Sequence, residues 1–356
     1  MKLRKILFLG ETYRADAQTW MNGLKEFGNF EIISWELQKS SNGFKNRVLR
    51  IFEYFLALHK INIIIDTQKP DMVIAERTTS YGFLASCIKN MPTAIAQQGK
   101  TDLWPANSIL YPIKKLLQKK AFQKVTLIHS WGPIMTKHMK NVNVDKSKIL
   151  ELPKGIDLRK FHFQINDDSK IKAIVTRSLL KEYCHEIILK AFAILHSKKV
   201  DFSLTIVGDG PKLDYLQNLA KELDIDKKVI FTKKIANSEI PKLLQASNFY
   251  ISMPATEGVS ASLFEAMACG CYPIVSNIEG NQSWISHQIN GQLVDVDNFE
   301  QLAKEILWAQ DNLAFRKKIV FENRFFVEQN ANYQTNMKII SNKYHQIIDE
   351  NQMKQQ

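Results

Sequence analysis

The sequence predicts an α/β protein with two domains, each built on a parallel sheet that helices cover on both faces. Short apolar runs rich in β-branched residues alternate with longer segments of helical periodicity, which is typical of such sheets. The alternation stops in a polar stretch over residues 164–170 and then starts again. A chain of 356 residues is also longer than one hydrophobic core usually serves. Together these observations predict two Rossmann-like units.

Apolar runs of strand length recur in both halves, and the segments between most of them are long enough for helices. Those of the first unit are residues 6–9, 31–35, 72–75, 93–96, 125–128 and 149–152, and those of the second are residues 171–176, 202–207, 229–232, 249–252 and 272–276. From about residue 298 the pattern is wholly helical, and it ends in a polar helix over residues 333–356.

These patterns divide the chain into an N-terminal domain of residues 1–160, a second domain of residues 161–329 and a terminal helix within residues 330–356. We expect this helix to pack back toward the first domain, as a long helix after a complete domain often does. Ligands of open parallel sheets bind beyond the carboxyl ends of the strands. A site is therefore expected in a cleft where the two sheets face each other.

The composition excludes several classes of protein. Hydrophobic residues make up 45%, aromatic residues 10% and charged residues 24%, which excludes a disordered, collagenous or disulfide-stapled chain. The apolar runs are far shorter than the roughly 20 residues of a membrane-spanning helix. The first run ends at Gly10 and charged residues follow, so it predicts a buried strand rather than an export signal. Four cysteines without zinc spacing predict reduced thiols and a cytoplasmic protein.

The positive charge lies in the first half of the chain. The formal net charge is +12, and residues 1–165 carry 26 Lys and Arg against 13 Asp and Glu, whereas the remainder carries 22 against 23. This asymmetry indicates an anionic partner, such as a membrane surface or an acidic polymer. No nucleic-acid-binding signature accompanies the lysines, so nucleic acid is not an expected partner.

The most informative segment is residues 255–270, where a loop of small residues leads from a strand into a helix. The helix is predicted to begin near Ser260 and to end at Gly270. The backbone amides of Gly258, Val259 and Ser260 would then be free at a helix N-terminus, which suits phosphate oxygens or sugar hydroxyls.

Two acidic residues of this segment, Glu257 and Glu265, are candidates for ligand binding. Their spacing corresponds to about two helical turns on nearly the same face; with Glu257 in the loop, the two carboxylates could instead bracket an elongated ligand. A carboxylate accepts two hydrogen bonds from a vicinal diol, as on a ribose or a hexose. Alternatively, Glu257 is a helix-start charge and Glu265 a solvated residue, although Glu265 stands among apolar neighbours and needs a partner there.

At these residues the sequence resembles a known family. The Glu-x7-Glu arrangement, followed by Ala-Met-Ala-Cys-Gly, a strand and an Asn290-Gly291 turn, resembles the C-terminal half of retaining glycosyltransferases of family 4, which have the GT-B fold. Three loops agree in order and spacing: residues 153–157 resemble the interdomain linker, residues 176–179 the first loop of the donor domain and residues 207–211 the second. The resemblance covers about half of the chain, from about residue 125 to residue 307.

The resemblance implies a site for a nucleotide sugar and gives its residues roles. Glu265 would hold the ribose hydroxyls and Glu257 a hydroxyl of the transferred sugar. The amides of residues 258–260 would line the sugar and the diphosphate. Arg177 would neutralise the diphosphate leaving group, which suits a permanently charged bidentate donor; alternatively it is a solvated arginine at a strand end. Arg177 and Glu257 are thus the predicted catalytic residues.

The sequence departs from the family pattern at three candidate donor-binding residues. The family usually carries a lysine just before the helix after the first donor loop; here residues 182–185, Glu-Tyr-Cys-His, fill that slot and Lys181 comes slightly early. Gly10 stands alone where family members often have a glycine-rich loop close to the diphosphate. Gln98 stands where family members often have a histidine. It can hydrogen-bond a sugar hydroxyl but cannot shuttle a proton. Alternatively, Gln98 is a plain loop amide.

The resemblance implies transfer of a glycosyl group from a UDP- or GDP-sugar with retention at the anomeric carbon. No enzymic nucleophile is evident, so the departing phosphate would take the acceptor proton while Arg177 and the loop amides stabilise its charge. No cofactor and no metal are expected. Two Asp-x-Asp sequences, residues 224–226 and 295–297, precede a strand and a helix and are better explained by turns and helix capping.

The acceptor is expected on the basic N-terminal domain. Residues 44–58 and 111–124 combine basic and apolar side chains in two predicted amphipathic helices, which could lie on anionic lipid at the inner face of the membrane. Alternatively, both are ordinary helices with their apolar stripe in the core. The preferred acceptor is a glycan or a lipid-linked oligosaccharide, in the synthesis of a cell-surface polysaccharide or lipopolysaccharide.

Two other functions stay open. A GT-B epimerase would act on the nucleotide sugar itself, but no acid-base pair of histidines stands in the predicted loops. A non-catalytic module that binds a nucleotide sugar or a partner would explain the irregular loop at Gly10 and the displaced Lys181. Arg177, Glu257 and Glu265 argue against this module.

Overall fold

The computed structural model describes residues 2–38, 44–97, 99, 102–103, 108–140, 142–166 and 170–355, and for residues 44–48, 50 and 51 it describes the backbone alone. The chain forms two compact units, which are Met1–Lys154 together with Tyr333–Gln356, and Gly155–Asn332. In the described part of the chain each unit holds one six-stranded parallel sheet with helices. The prediction of two parallel α/β units is therefore confirmed.

The strands of the first unit are β1 (Arg4–Leu9), β2 (Phe30–Trp35), β3 (Met72–Glu76), β4 (Thr93–Ala96), β5 (Leu127–Ser130) and β6 (Ile149–Glu151), in the sheet order β2-β1-β3-β4-β5-β6. Those of the second unit are β7 (Ile171–Thr176), β8 (Phe202–Val207), β9 (Val229–Lys233), β10 (Phe249–Ser252), β11 (Tyr272–Ser276) and β12 (Gln292–Val294), in the order β12-β11-β10-β7-β8-β9. In the second sheet the chain first builds outward on one side of β7 and then, from β10, on the other side.

The helices alternate with these strands. They are α1 (Ala15–Gly28), α2 (Phe44–Gln68), α3 (Tyr81–Ser86), α4 (Tyr111–Lys124), α5 (Pro133–Lys140), α6 (His185–Ser197), α7 (Leu213–Glu222), α8 (Ile240–Gln245), α9 (Ala261–Cys269), α10 (Glu279–Gln282), α11 (Phe299–Asp311), α12 (Leu313–Asn330) and α13 (Tyr333–Gln355). Short 3-10 helices cover Lys146–Lys148, Lys181–Tyr183 and Asp226–Lys228.

The strands form where the sequence carries continuous apolar runs. Every residue of β3, β4, β10 and β11 is buried, because helices cover both faces of a parallel sheet. β4, β7, β8, β10 and β11 have the bounds that their apolar runs predict.

Five strands, β1, β2, β3, β6 and β9, differ from the prediction by one or two residues at one end, and two others, β5 and β12, differ more. β5 begins at Leu127 instead of residue 125, because Val125 still caps α4 by donating its amide to the Ala121 carbonyl oxygen at 3.1 Å. β12 was not predicted as a strand. It spans three residues and pairs with β11. A run of three residues is too short to show periodicity.

The boundary between the units lies earlier than residue 160. The Ile156 amide donates to the Ala331 carbonyl oxygen at 2.8 Å. The side chains of Ile156 and Phe161 are buried in a core cluster of the second unit. Residues 155–160, placed by the sequence in the first domain, therefore belong to the second unit.

Helix α13 completes the first unit by packing against α1. The Tyr333 hydroxyl donates to the Thr19 carbonyl oxygen at 2.7 Å. Farther along, the Tyr344 hydroxyl lies 2.6 Å from Nε2 of His129 at β5. The first unit is thus assembled from two separate stretches of the chain.

Within the part of the chain that the structure describes, no helix combines the length and the apolar character needed to cross a membrane.

Candidate functional site

The candidate site lies where two neighbouring strands of the second unit end. β7 and β10 pair in parallel although β8 and β9 separate them in sequence. Such a reversal of strand order opens a crevice beyond the carboxyl ends of the strands. Arg177 directly follows β7, and the loop over residues 253–260 follows β10, so both meet at this crevice.

Arg177 is the centre of the polar contacts at this site. Its Nη2 donates to Oε2 of Glu257 at 2.7 Å, and both side chains are only 13% exposed. The same nitrogen contacts the Ser260 hydroxyl, and Nε lies 3.4 Å from the Ser252 hydroxyl. The structure therefore brings together both predicted catalytic residues and Ser260.

Burial and charge act in opposite directions on this ion pair. Burial raises the pKa of Glu257, while the charge and the hydrogen bond of Arg177 lower it; burial outweighs them. Burial works against the charged guanidinium as well, but Tyr250, Glu257, Tyr183 and Glu265 outweigh it and raise the pKa of Arg177. The site therefore holds a permanent cation beside a carboxylate that is costly to keep charged.

Glu265 lies on α9, the helix that directly follows the Glu257 loop. Burial raises its pKa to about 7, against the opposing charge of Arg177. Its side chain is partly exposed, and within the described residues its carboxylate has no hydrogen-bond or ion-pair partner. An acid whose charged form is penalised by desolvation gains from a hydrogen-bond partner, which a ligand hydroxyl can supply.

The loop before α9 has the conformation predicted for it. Ser260 is the N-cap, and its hydroxyl accepts from the Leu263 amide at 3.2 Å. Gly270 ends the helix in a left-handed conformation with φ 91°. In the described part of the chain the amides of residues 258–260 donate to no backbone carbonyl, so they are available to an anion or a hydroxyl.

Close backbone packing holds the loops around Arg177 in place. A Cβ on Gly208 would overlap the Arg177 carbonyl oxygen, and one on Gly280 would overlap the Glu257 carbonyl oxygen. The Ala255 amide donates to the Glu182 carbonyl oxygen at 2.8 Å. The arginine and the Glu257 loop are therefore supported from three neighbouring loops.

Three further predicted donor-binding residues are Lys181, Gly10 and Gln98. Lys181 is exposed in its 3-10 turn and makes no ion pair among the residues described. Gly10 belongs to the first unit; its amide donates to the Trp35 carbonyl oxygen at 3.2 Å, and a Cβ there would meet Phe8 and Glu76. Gln98 lies outside the described residues.

Three residues near the cluster were not singled out by the sequence. Tyr183 places its ring against the Arg177 guanidinium, with Cζ 5.4 Å from the ring centroid. Ser252 ends β10 and contacts Arg177. His185 opens α6 and is buried, which lowers its pKa to about 4 and keeps the ring neutral. The only sequence signal for Tyr183 was its place in the slot where a lysine was expected.

The Asp-x-Asp sequences have local structural roles. Asn298 caps α11 by accepting from the Gln301 amide at 2.9 Å, and Asp295 accepts from Asn277 at 3.0 Å. Asp226 begins a 3-10 helix before β9. No cluster of His, Cys, Asp and Glu suited to a metal ion occurs among the residues that the structure describes.

The match to a protein family lies within the second unit. Residues 157–324 match the family model described as glycosyl transferases group 1. This segment contains Arg177, Glu257 and Glu265, together with the strands that position them.

Among the curated relatives with named activities are two bacterial sugar transferases. The chain is 25% identical over 188 residues to an Escherichia coli UDP-Gal:alpha-D-GlcNAc-diphosphoundecaprenol alpha-1,3-galactosyltransferase, covering 49% of this chain and 48% of that protein. It is 26% identical over 245 residues to a Campylobacter jejuni N-acetylgalactosamine-N,N'-diacetylbacillosaminyl-diphospho-undecaprenol 4-alpha-N-acetylgalactosaminyltransferase, covering 67% and 65%. The matches span 33%, 48% and 64% of the length of the first three curated relatives.

The same fold occurs in solved structures. Anabaena HepE in complex with UDP and glucose superposes with a TM-score of 0.75 at 15% identity, covering 96% of this chain and 99% of that one. This likeness shows the fold, the two-sheet α/β architecture of GT-B glycosyltransferases. The matched family model and the two named relatives are those of glycosyl transferases, and the model covers residues 157–324 of this chain.

Proposed function

We propose that the chain is a retaining glycosyltransferase of family 4 that transfers a sugar from a nucleoside diphosphate sugar to a glycan or a lipid-linked acceptor. The observation that carries the proposal is the Arg177–Glu257 pair beside the available amides of residues 258–260. A cation and free amides suit a diphosphate, and carboxylates suit sugar hydroxyls.

The contacts of Arg177 indicate how the site would change when the donor binds. A diphosphate competes with Glu257 for the guanidinium, because phosphate oxygens form strong charge-assisted bonds with arginine. Glu257 would then be released to accept a hydrogen bond from a hydroxyl of the transferred sugar. Arg177 would stabilise the charge that develops on the departing phosphate while this phosphate takes the acceptor proton.

We propose a UDP- or GDP-sugar as the donor, with no cofactor and no metal. The related Escherichia coli enzyme uses UDP-Gal by its name, and the HepE structure of the same fold contains UDP and glucose. Glu265 supports the nucleotide part of the proposal, because its partly exposed carboxylate has no partner in the described residues and suits the two hydroxyls of a ribose.

A lipid-linked acceptor, met at the cytoplasmic face of a membrane, is the second part of the proposal. Both named relatives act on diphosphoundecaprenol-linked glycans by their names. On α2 the side chains of Phe55 and Leu56 are 76% and 60% exposed, and on α4 those of Ile113 and Leu116 are 55% and 53% exposed. Exposed apolar side chains among lysines favour contact with anionic lipid.

The donor proposal is tested by isothermal titration of UDP, GDP, ADP and CMP without metal. We expect one nucleotide to bind the wild type, and Glu265→Gln to weaken it by about 1–3 kcal/mol, the usual cost of losing a hydrogen bond to a charged group. The control is Glu300→Gln, since Glu300 is an exposed acid in the first turn of α11.

Failure of all four nucleotides to bind would contradict the proposed donor site. If the bound donor sugar were converted without any acceptor, the epimerase function would replace the transferase. The anomeric configuration of the product, read by NMR, tests the retaining mechanism.

A further inference from the structure

The Arg177 guanidinium lies over the ring of Tyr183. The distance from Cζ of Arg177 to the centroid of the Tyr183 ring is 5.4 Å. Tyr183 closes the 3-10 helix Lys181–Tyr183 after the first donor loop, and it is partly buried. An aromatic ring therefore faces the arginine in the segment where a second cation was expected.

Within the described residues, the hydrogen bonds of the Arg177 side chain use its N–H groups. Glu257 and Ser260 contact Nη2, and Ser252 contacts Nε. Each of these contacts occupies an N–H donor, and the guanidinium has five. The ring of Tyr183 attracts the cation through its face, so it holds the guanidinium without occupying a donor.

This difference matters when Arg177 exchanges its hydrogen-bond partners on binding of the nucleotide sugar. In the proposed function a diphosphate replaces Glu257, and the strongest contact that fixes Arg177 is then lost. The contact with the Tyr183 ring does not depend on Glu257, because Tyr183 belongs to a different loop. That loop is joined to the Glu257 loop by the hydrogen bond from Ala255 to Glu182.

We propose that Tyr183 is a positioning residue, which keeps the Arg177 guanidinium in place while its hydrogen bonds pass from Glu257 to the diphosphate of the donor. The inference rests on the proposed function and adds a residue to it. The ring face performs this role, and the phenolic hydroxyl is not needed for it.

The chain offers a matched control for the stacking itself. Nζ of Lys212 also lies 5.4 Å from the centroid of an aromatic ring, that of Tyr215. Tyr215 is 53% exposed, and Lys212 is paired with Glu186. Tyr215→Leu therefore removes the same type of contact from a lysine that has no assigned role.

The experiment compares Tyr183→Phe, Tyr183→Leu and Tyr215→Leu, using whichever nucleotide of the titration panel binds the wild type. We expect Tyr183→Phe and Tyr215→Leu to keep the wild-type affinity within about twofold. Tyr183→Leu should lose about 5- to 30-fold, which corresponds to the about 1–2 kcal/mol of a partly desolvated cation–π contact. Melting temperatures of all variants are recorded alongside.

A double-mutant cycle separates positioning from a general structural role. Because Tyr183 acts through Arg177, adding Tyr183→Leu to Arg177→Met should cost no further affinity. Additive losses, or equal affinity of Tyr183→Leu and the wild type, would overturn this inference and leave the donor site intact. If the wild type binds none of the nucleotides, the proposed function fails and this inference fails with it.

Discussion

Arg177 and Glu257 form their ion pair across 80 positions of the chain. They meet because β7 and β10 are neighbours in the sheet, a pairing that no local sequence pattern encodes. The identity of both residues was predicted from the family resemblance. Their mutual hydrogen bond, the contacts with Ser252 and Ser260, and the stacking on Tyr183 depend on tertiary packing and could not be predicted.

Glu265 gives a prediction at the scale of one residue. Its pKa is about 7 in the folded protein against an ordinary 4.5, so protonation stabilises the folded state. This contribution is fully present below pH 4.5 and is lost as the pH rises through 7. Relative to Glu265→Gln, the wild type should therefore lose up to about 3 kcal/mol of unfolding free energy between pH 4.5 and pH 8.

Urea unfolding of both proteins across this pH range measures the difference. Glu257, whose pKa is also raised, titrates in both proteins and cancels in the comparison. A difference between wild type and Glu265→Gln that does not change with pH would show that the Glu265 carboxyl titrates normally.

The loops of the second unit give a prediction at the scale of the element. Gly208, directly after β8, has φ 150° and leaves no room for a Cβ beside the Arg177 carbonyl oxygen. Gly208→Ala should therefore push the loop away from β7 and lower the unfolding free energy by about 2–3 kcal/mol. Nucleotide affinity should fall with it, because Arg177 is displaced.

Gly99→Ala is the control for the backbone strain. Gly99 also has a positive φ, 59°, but no atom of the described residues lies within 4 Å of the position of its Cβ. Its substitution should cost about 1 kcal/mol, through backbone conformation alone. Equal losses from both substitutions, measured by urea unfolding, would show that the close approach to Arg177 has no energetic consequence.

Elements with local signals were predicted well. The start and end of α9 follow from Ser260 and Gly270, which act through hydrogen bonds and backbone conformation within a few residues. The fully buried strands follow from their apolar runs. β12 was missed because its pairing with β11 is set by the sheet and not by its own three residues.

At the scale of the whole molecule, the positive charge of residues 1–165 gives a prediction about lipid. We expect the protein to bind vesicles rich in phosphatidylserine at low salt, and binding should weaken as salt screens the charges. Lys119 and Lys120 are exposed on α4, so their joint replacement by Glu should cost at least about 1 kcal/mol for each lysine.

The control replaces Lys317 and Lys318, two adjacent exposed lysines on α12 of the second unit, by Glu as well. Both double variants change the net charge equally. Co-sedimentation with vesicles should therefore separate a local contact from overall charge. Absence of vesicle binding by the wild type at low salt would contradict the membrane part of the proposal.

The two-unit architecture was predictable because the alternation of strands and helices repeats twice. The membership of residues 155–160 was not, since it depends on the pairing of Ile156 with Ala331 at the far end of the second unit. The predicted cleft between the sheets and the acceptor site stay predictions.

The division of the chain also bears on the order in which the protein folds as it is synthesised. The second unit is one continuous stretch, Gly155–Asn332, whereas the first unit needs Tyr333–Gln356 in addition to Met1–Lys154. Chains emerge from the ribosome N-terminus first, so the first unit cannot complete its fold until α13 has been synthesised. Until α13 arrives, the surface of α1 that it covers is open to solvent, and this nascent half would depend on chaperones longer than the half that follows it.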